Sequence, residues 1–236
     1  MSKRSKQRQF GKSELFNSIN PEYEDEILEA YGSLTIENPD LNLVKLPELF
    51  SVLQIPSCFC QDINLCIDYY YEHMQDIEQF DSTNHKQYIT MQLIKNVTIS
   101  SNIDDVSTIL DIVDIDKLIK ITDKLLKFRD FYQTIYESWK LFINASHLDS
   151  ELNEQSILSY KLTLPDLKNI KTSLNLDYES NGKYSLGDSF LIDMLGCCST
   201  DPNGNMSNYD FYKIKSGSSV TIKDFAEILG NLGEFD

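Results

Sequence analysis

The chain has 236 residues, of which 41% are hydrophobic and 25% are charged, so it is long and apolar enough to fold around a core. Its net charge of −16 disfavours direct binding of nucleic acid, which depends on neutralising phosphates. No apolar run approaches the roughly 20 residues of a membrane span, and the first residues lack the apolar segment of a signal peptide. We therefore expect an intracellular protein that does not enter the membrane.

The N-terminus begins with a basic segment, MSKRSKQRQFGK, which holds five cations and no acid. Such a composition is typical of a solvated arm without fixed structure, and we predict a disordered basic tail over residues 1–20. A nuclear-import signal or a weak nucleic-acid contact is the functional alternative for this segment.

Apolar residues at steps of three and four predict helices separated by polar stretches. The predicted helices cover residues 22–34, 46–55, 62–74, 114–145, 164–176, 186–198 and 221–233. The longest of these patterns contains neither Pro nor Gly, so it predicts either one long helix or two helices joined end to end. The chain is therefore expected to be mainly α.

One pattern occurs four times, as LNLVKL (41–46), VDIDKL (113–118), LTLPDL (162–167) and VTIKDF (220–225). In each copy an apolar residue stands five positions before the first core residue of a helix. The repeat predicts a helix, a loop with a short extended segment and a second helix, four times over.

This repeat resembles the EF-hand superfamily, in which the twelfth loop residue is a Glu that binds Ca²⁺ through both oxygens. Loop position 8, which lies on a short β-bridge in that family, would fall on Leu41, Val113, Leu162 and Val220. Position 12 would fall on Lys45, Lys117, Asp166 and Asp224. The resemblance implies a mainly α, calmodulin- or centrin-like fold, with four degenerate EF-hands in two bridged lobes over residues 21–130 and 131–236.

The loops do not carry the oxygen ligands that calcium requires. A lysine stands at position 12 of the first two loops, the third supplies too few carboxylates, and the fourth places Lys213 and Lys215 at ligand positions. The stretch DPNGN (201–205) begins like a calcium loop, but Met206 takes the glycine position and Tyr212 takes the position of the bidentate Glu. We interpret it as a turn within an insertion, and predict neither a metal site nor a cofactor.

A closer resemblance links the chain to the small centrin-like nucleotide excision repair proteins of yeasts. It rests on EDEILEAY, LVKLPELFSVLQI, DIDKLIKITDKLL, LTLPDLKNIKTSL and SSVTIKDFAEILGNLG. These stretches span most of residues 22–233, with insertions around 75–105, 145–160 and 199–219. The resemblance implies a nuclear subunit that binds an amphipathic helix of the DNA-damage recognition factor, the counterpart of xeroderma pigmentosum group C. It also implies a repair protein with a ubiquitin-like domain in the same complex.

A lobe without calcium ligands must keep its apolar groove by packing alone, and would therefore bind a partner helix constitutively. We predict this groove in the C-terminal lobe, although many of its residues could simply be core. The predicted groove residues are Phe142, Leu162, Leu167, Ile170, Leu174, Leu191, Met194, Leu195, Phe225, Ile228 and Leu229. Trp139 is interpreted as core or inter-lobe packing, with partner contact as the alternative.

The alternative adaptor function is a cytoskeletal or structural one, in which the chain grips a long helix as light chains and centrins do. An enzyme is disfavoured, because the chain has no P-loop, no nucleophile elbow and no G-x-G-x-x-G motif, and no catalytic residue can be singled out. Its five cysteines include no C-x-x-C pair. We expect buried or half-buried, reduced thiols, with a redox or metal pair of Cys58 and Cys60 as the alternative.

Overall fold

The computed structural model describes residues 13–36, 38–75, 80–100, 109–146, 152–174, 209–211 and 219–236. Within these ranges the chain is mainly helical, which confirms the predicted fold class at that level. The helices are α1 (Glu14–Asn17), α2 (Pro21–Leu34), α3 (Leu46–Val52), α4 (Ser57–His73), α5 (His85–Val97), α6 (Ile115–Asp130), α7 (Tyr132–Ser146), α8 (Glu154–Leu158), α9 (Leu164–Ser173) and α10 (Ile222–Asn231). Among the described residues, none of the helices has the length and apolar character that a bilayer crossing requires.

The helices begin where side chains can satisfy the free N–H groups of their first turns. The Asn20 side chain accepts from the backbone of α2, whose first residue is Pro21, and the Asp114 side chain accepts from two N–H groups of α6. At α9 and α10, a Thr and an Asp three residues later form the reciprocal capping box. Local sequence therefore determines where these helices start.

The long apolar pattern over residues 114–145 forms two helices joined end to end, so the second of the two predicted alternatives is correct. α6 ends at Asp130 and α7 begins at Tyr132. Phe131 lies between them, and its ring stacks on that of Phe235 with 4.8 Å between centroids. The junction is thus held by an aromatic contact with the C-terminal end of the chain.

Isolated β-bridges lie at the repeated pattern in both halves of the chain. Leu162 and Val220 form an antiparallel bridge just before α9 and α10, on the residues that the EF-hand resemblance selects. In the first half, Asn42 pairs with Ile112, one residue away from the selected positions, and Thr98 pairs with Val113. The wider arrangement in four hands and two lobes remains a prediction.

The buried side chains form one hydrophobic cluster with contributions from both halves of the chain. α2 packs against α6, α4 packs against α5, and α7 packs against both α9 and α10. Contacts of α10 with α1 and α4 connect the two halves, and α1 also packs against α6.

Helices also form where the sequence did not predict them. α5 lies where a polar stretch and an insertion were expected, yet Ile89, Leu93 and Val97 are buried at steps of four and Asn84 caps the first turn. The predicted disordered tail covered residues 1–20, but α1 folds within it. Phe16 is buried there at 2% exposure, so residues 13–20 belong to the folded body because an aromatic side chain anchors them.

Candidate partner-binding surface

The described residues of the predicted groove lie on or next to α7, α9 and α10, and α7 packs against both other helices. The Leu162 N–H donates to the Val220 carbonyl and the Val220 N–H donates to the Leu162 carbonyl, both at 2.9 Å. Because each bridge residue is followed by a capping Thr, α9 and α10 both start within two residues of the bridge. The pair of bonds therefore sets the distance between the two helix starts.

An aromatic contact forms the centre of this region. The Phe225 ring lies 5.5 Å from the Trp139 ring and 5.2 Å from the Phe142 ring, measured between centroids. Trp139 is fully buried, and its indole N–H donates to the Ile157 carbonyl at 2.8 Å. Trp139 thus packs in the core and ties α7 to α8.

The predicted groove residues differ widely in their exposure. The buried ones are Leu162, Ile170 and Phe225, and the half-buried ones are Phe142, Leu167, Ile228 and Leu229. Leu174 is 50% exposed at the end of α9. Leu191, Met194 and Leu195 lie outside the described residues. The surface that remains accessible, called the accessible patch below, consists of Phe142, Leu167, Leu174, Ile228 and Leu229.

Sequence reasoning missed one exposed apolar residue near this region. Leu141 precedes Phe142 on α7 and is 69% exposed, more than any other large apolar residue on α7, α9 or α10. Helical spacing assigns Leu141 to the face away from the core. The helical spacing gives no indication that a large apolar side chain on that face has a function.

The residues at loop position 12 have other contacts in this structure. The Lys117 ammonium donates to the carbonyls of Lys95 at 2.9 Å and Thr98 at 2.6 Å, at the C-terminal end of α5. A cation is favourable there because the free carbonyls carry partial negative charge. Lys45 pairs with Glu48 on the surface, where both side chains are about half exposed and an ion pair contributes little.

The carboxylates of the two aspartates at position 12 cap the N-termini of helices. The Asp166 carboxylate accepts from the Thr163 N–H at 2.7 Å and from its hydroxyl at 2.6 Å, and the other oxygen accepts from the Tyr160 hydroxyl at 3.2 Å. Asp224 accepts from the Thr221 N–H at 2.8 Å and its hydroxyl at 2.9 Å. These carboxylates stabilise the starts of α9 and α10.

Neither the carboxylates nor the thiols of the described residues gather into a group of three or more metal-binding side chains. Burial raises the pKa of the Cys58 and Cys66 thiols to about 12 and that of Cys60 to about 11. Because the thiolate is the reactive form, the raised pKa lowers the reactivity of these three thiols at neutral pH. Their environment therefore fits buried, reduced thiols better than a redox pair.

Comparison with known families finds one match. The model of the Rad33 family matches residues 13–179, which is well over half of the chain and begins at the cap of α1. No curated protein and no solved structure matched the chain.

Proposed function

The chain belongs to the Rad33 family, and from this membership we propose that it is a non-catalytic accessory subunit of nucleotide excision repair. Rad33 is a yeast protein related to that pathway, so the resemblance to a yeast repair family is confirmed and a role related to DNA repair follows. The proposal adds a mechanism: the chain holds an amphipathic helix of the DNA-damage recognition factor on the apolar surface of its C-terminal half.

The observation that supports this mechanism most strongly is the doubly hydrogen-bonded pair of Leu162 and Val220. In the proposed arrangement it is the bridge of two paired, degenerate EF-hands, with α9 and α10 as their exiting helices. Paired EF-hands present an apolar groove between their helices, and amphipathic partner helices bind in such grooves. The accessible patch would supply the rim of that groove.

Binding is proposed to be independent of calcium. Lys117 places an ammonium on the carbonyls at the end of α5, and Asp166 and Asp224 cap the helices that they begin. These contacts fix the helix ends without a metal ion. A lobe held in this way would keep its groove open in every calcium concentration.

The partner helix is proposed to carry large apolar anchors on one side and basic residues on the other. Aromatic and large aliphatic anchors commonly supply most of the energy at such interfaces, and the acidic body of the chain would speed the capture of a basic helix. We further propose that the complex is nuclear, that it includes a repair protein with a ubiquitin-like domain, and that the chain itself does not bind nucleic acid.

Leu174→Asp is expected to weaken binding of the partner helix by more than about tenfold, because a carboxylate would be desolvated against the apolar face of the helix. Leu174 is already half exposed, so the substitution should leave the fold unchanged. Isothermal titration with the helical segment of the recognition factor measures the change.

The matched control is Leu110→Asp, which changes the same residue type at 55% exposure in the first half of the chain. The affinity of this variant for the partner helix is expected to stay within about twofold of that of the unmodified chain. If both variants and the unmodified chain bind with equal affinity, the partner helix does not bind at the accessible patch.

A further inference from the structure

A short segment far along the chain is buried against helices of the first half. Tyr209–Phe211, the docked tripeptide, contributes two aromatic residues with exposures of 3% and 6%. Its contacts are with residues of α4 and α5, more than 100 positions away in sequence, and with two lysines of the second half.

The two aromatic rings are each recognised by specific side chains. The Phe211 ring packs edge-on against the Tyr69 ring, with 5.2 Å between the centroids. The Lys86 ammonium lies 4.7 Å from the centroid of the Phe211 ring. The Lys223 ammonium lies 6.0 Å from the centroid of the Tyr209 ring. An ammonium over the face of an aromatic ring is attracted by the ring electrons. Each ring is therefore held by a cation as well as by apolar burial.

The backbone of the docked tripeptide is also bonded on both sides. The Tyr209 N–H donates to Asp62 on α4 at 2.9 Å, and the Asp210 carbonyl lies 3.0 Å from a ring nitrogen of His85 at the start of α5. Hydrogen bonds to a peptide backbone fix the direction and the register of the peptide in its site.

The side-chain polar groups are recognised as well. Asn96 donates from its amide to the Tyr209 hydroxyl at 3.0 Å, and Lys161 pairs with the Asp210 carboxylate at 2.7 Å. A tyrosine hydroxyl and a carboxylate in a largely buried environment are costly to leave unpaired, so these partners favour an aromatic–acidic–aromatic sequence over a purely apolar one.

An ion pair between α4 and α10 supports the site that receives the docked tripeptide. Both Asp62 oxygens accept from the Lys223 ammonium at 2.9 Å, across the contact between α4 and α10. Both side chains of this pair are largely buried. The pair therefore orients the carboxylate that accepts from the Tyr209 N–H.

We propose that the face formed by α4 and α5, together with Lys161 and Lys223, is a docking site for a short aromatic–acidic–aromatic peptide. Its occupant is the chain's own Tyr209–Phe211. Both rings, the carboxylate, the hydroxyl and the backbone of the tripeptide all have partners there, which is how sites for short linear peptides recognise their ligands. A tethered occupant competes at an effective concentration near millimolar, so it keeps this face closed to peptides in solution. The site shares no residue with the accessible patch and does not depend on the proposed function.

The test uses the full chain carrying Tyr209→Ala and Phe211→Ala, which empties the site. The probe is a fluorescein-labelled synthetic peptide, SNYDFYK, which covers residues 207–213. Fluorescence anisotropy is expected to show that the double variant captures the peptide at least about thirtyfold more tightly than the unmodified chain. The same peptide with alanine at positions 209 and 211 is the matched control and is expected not to bind.

A milder variant covers the case in which the double variant fails to fold. Asp210→Ala removes the ion pair with Lys161 and keeps both aromatic rings, and it is expected to capture the peptide at an affinity between those of the unmodified chain and the double variant. Circular dichroism establishes folding for each. The proposal is overturned if folded variants bind the peptide no better than the unmodified chain, or if the alanine-substituted peptide binds equally well.

Discussion

Replacement of Phe16 by alanine is expected to lower the free energy of unfolding by about 3–5 kcal/mol. Phe16 is 2% exposed. Its ring packs against those of Phe128 and Phe235, with 6.1 Å and 5.7 Å between the ring centroids. α1 has only four residues, too few to be stable as a helix by itself. Its position therefore depends on this ring, and the substitution removes both the buried surface and the anchor of the segment.

A double-mutant cycle with Gly230 tests whether Phe16 acts through its contact with α10. A Cβ added at Gly230 would meet the Phe16 ring, which is enclosed by the core. Gly230→Ala alone is therefore expected to destabilise the chain by about 1–3 kcal/mol. In the Phe16→Ala background the space is vacant, and the same change should stabilise by up to about 1 kcal/mol through helix propensity.

Urea denaturation of the four proteins measures this cycle. Reversal of the sign of the Gly230→Ala effect is the expected result. Equal effects in both backgrounds would show that α1 does not dock against α10 as described.

Replacement of Lys127 by methionine is expected to lower the free energy of unfolding by about 3–5 kcal/mol. The Lys127 ammonium, on a residue only 8% exposed, donates to the Phe16 carbonyl at 2.9 Å, to the Ser18 carbonyl at 2.6 Å and to the Asp123 carboxylate at 2.7 Å. Methionine keeps the length of the side chain but leaves a buried carboxylate without its cation. It also removes the donor of three carbonyls in and just after α1, those of Leu15, Phe16 and Ser18.

The matched control for this prediction is Lys120→Met on the same helix, where the side chain is exposed. It should change the free energy of unfolding by no more than about 0.5 kcal/mol. Adding Asp123→Asn to Lys127→Met should recover part of the loss, because it removes the unpaired charge. A Lys127→Met variant as stable as the Lys120→Met variant would contradict the buried ion pair.

Sequence reasoning located the elements whose signals are local. The repeated apolar pattern predicted helices at 164–176 and 221–233, and α9 and α10 form there, each begun by a Thr–Asp capping box that the prediction did not use. The apolar residues just before them, Leu162 and Val220, form the bridge. These features depend on a few neighbouring residues, so their physical causes can be read from the sequence.

Contacts between distant residues could not be predicted in the same way. Nothing near Phe16 in the sequence indicates that Gly230 leaves space for its ring, and nothing near Tyr209 indicates Asn96 as a partner. The burial of the predicted groove residues could not be predicted for the same reason. Helical spacing assigns Ile170 and Phe225 to an apolar face but does not reveal which neighbouring helix covers that face. Burial is a property of the assembled fold.

The proposed binding of the partner helix does not require calcium. Its most direct test is isothermal titration of the full chain with the amphipathic helical segment of the DNA-damage recognition factor, once in excess EDTA and once in calcium. We predict one helix bound per chain, with dissociation constants in the two buffers that agree within about twofold. Failure to bind in both buffers, or binding only in calcium, would contradict the account.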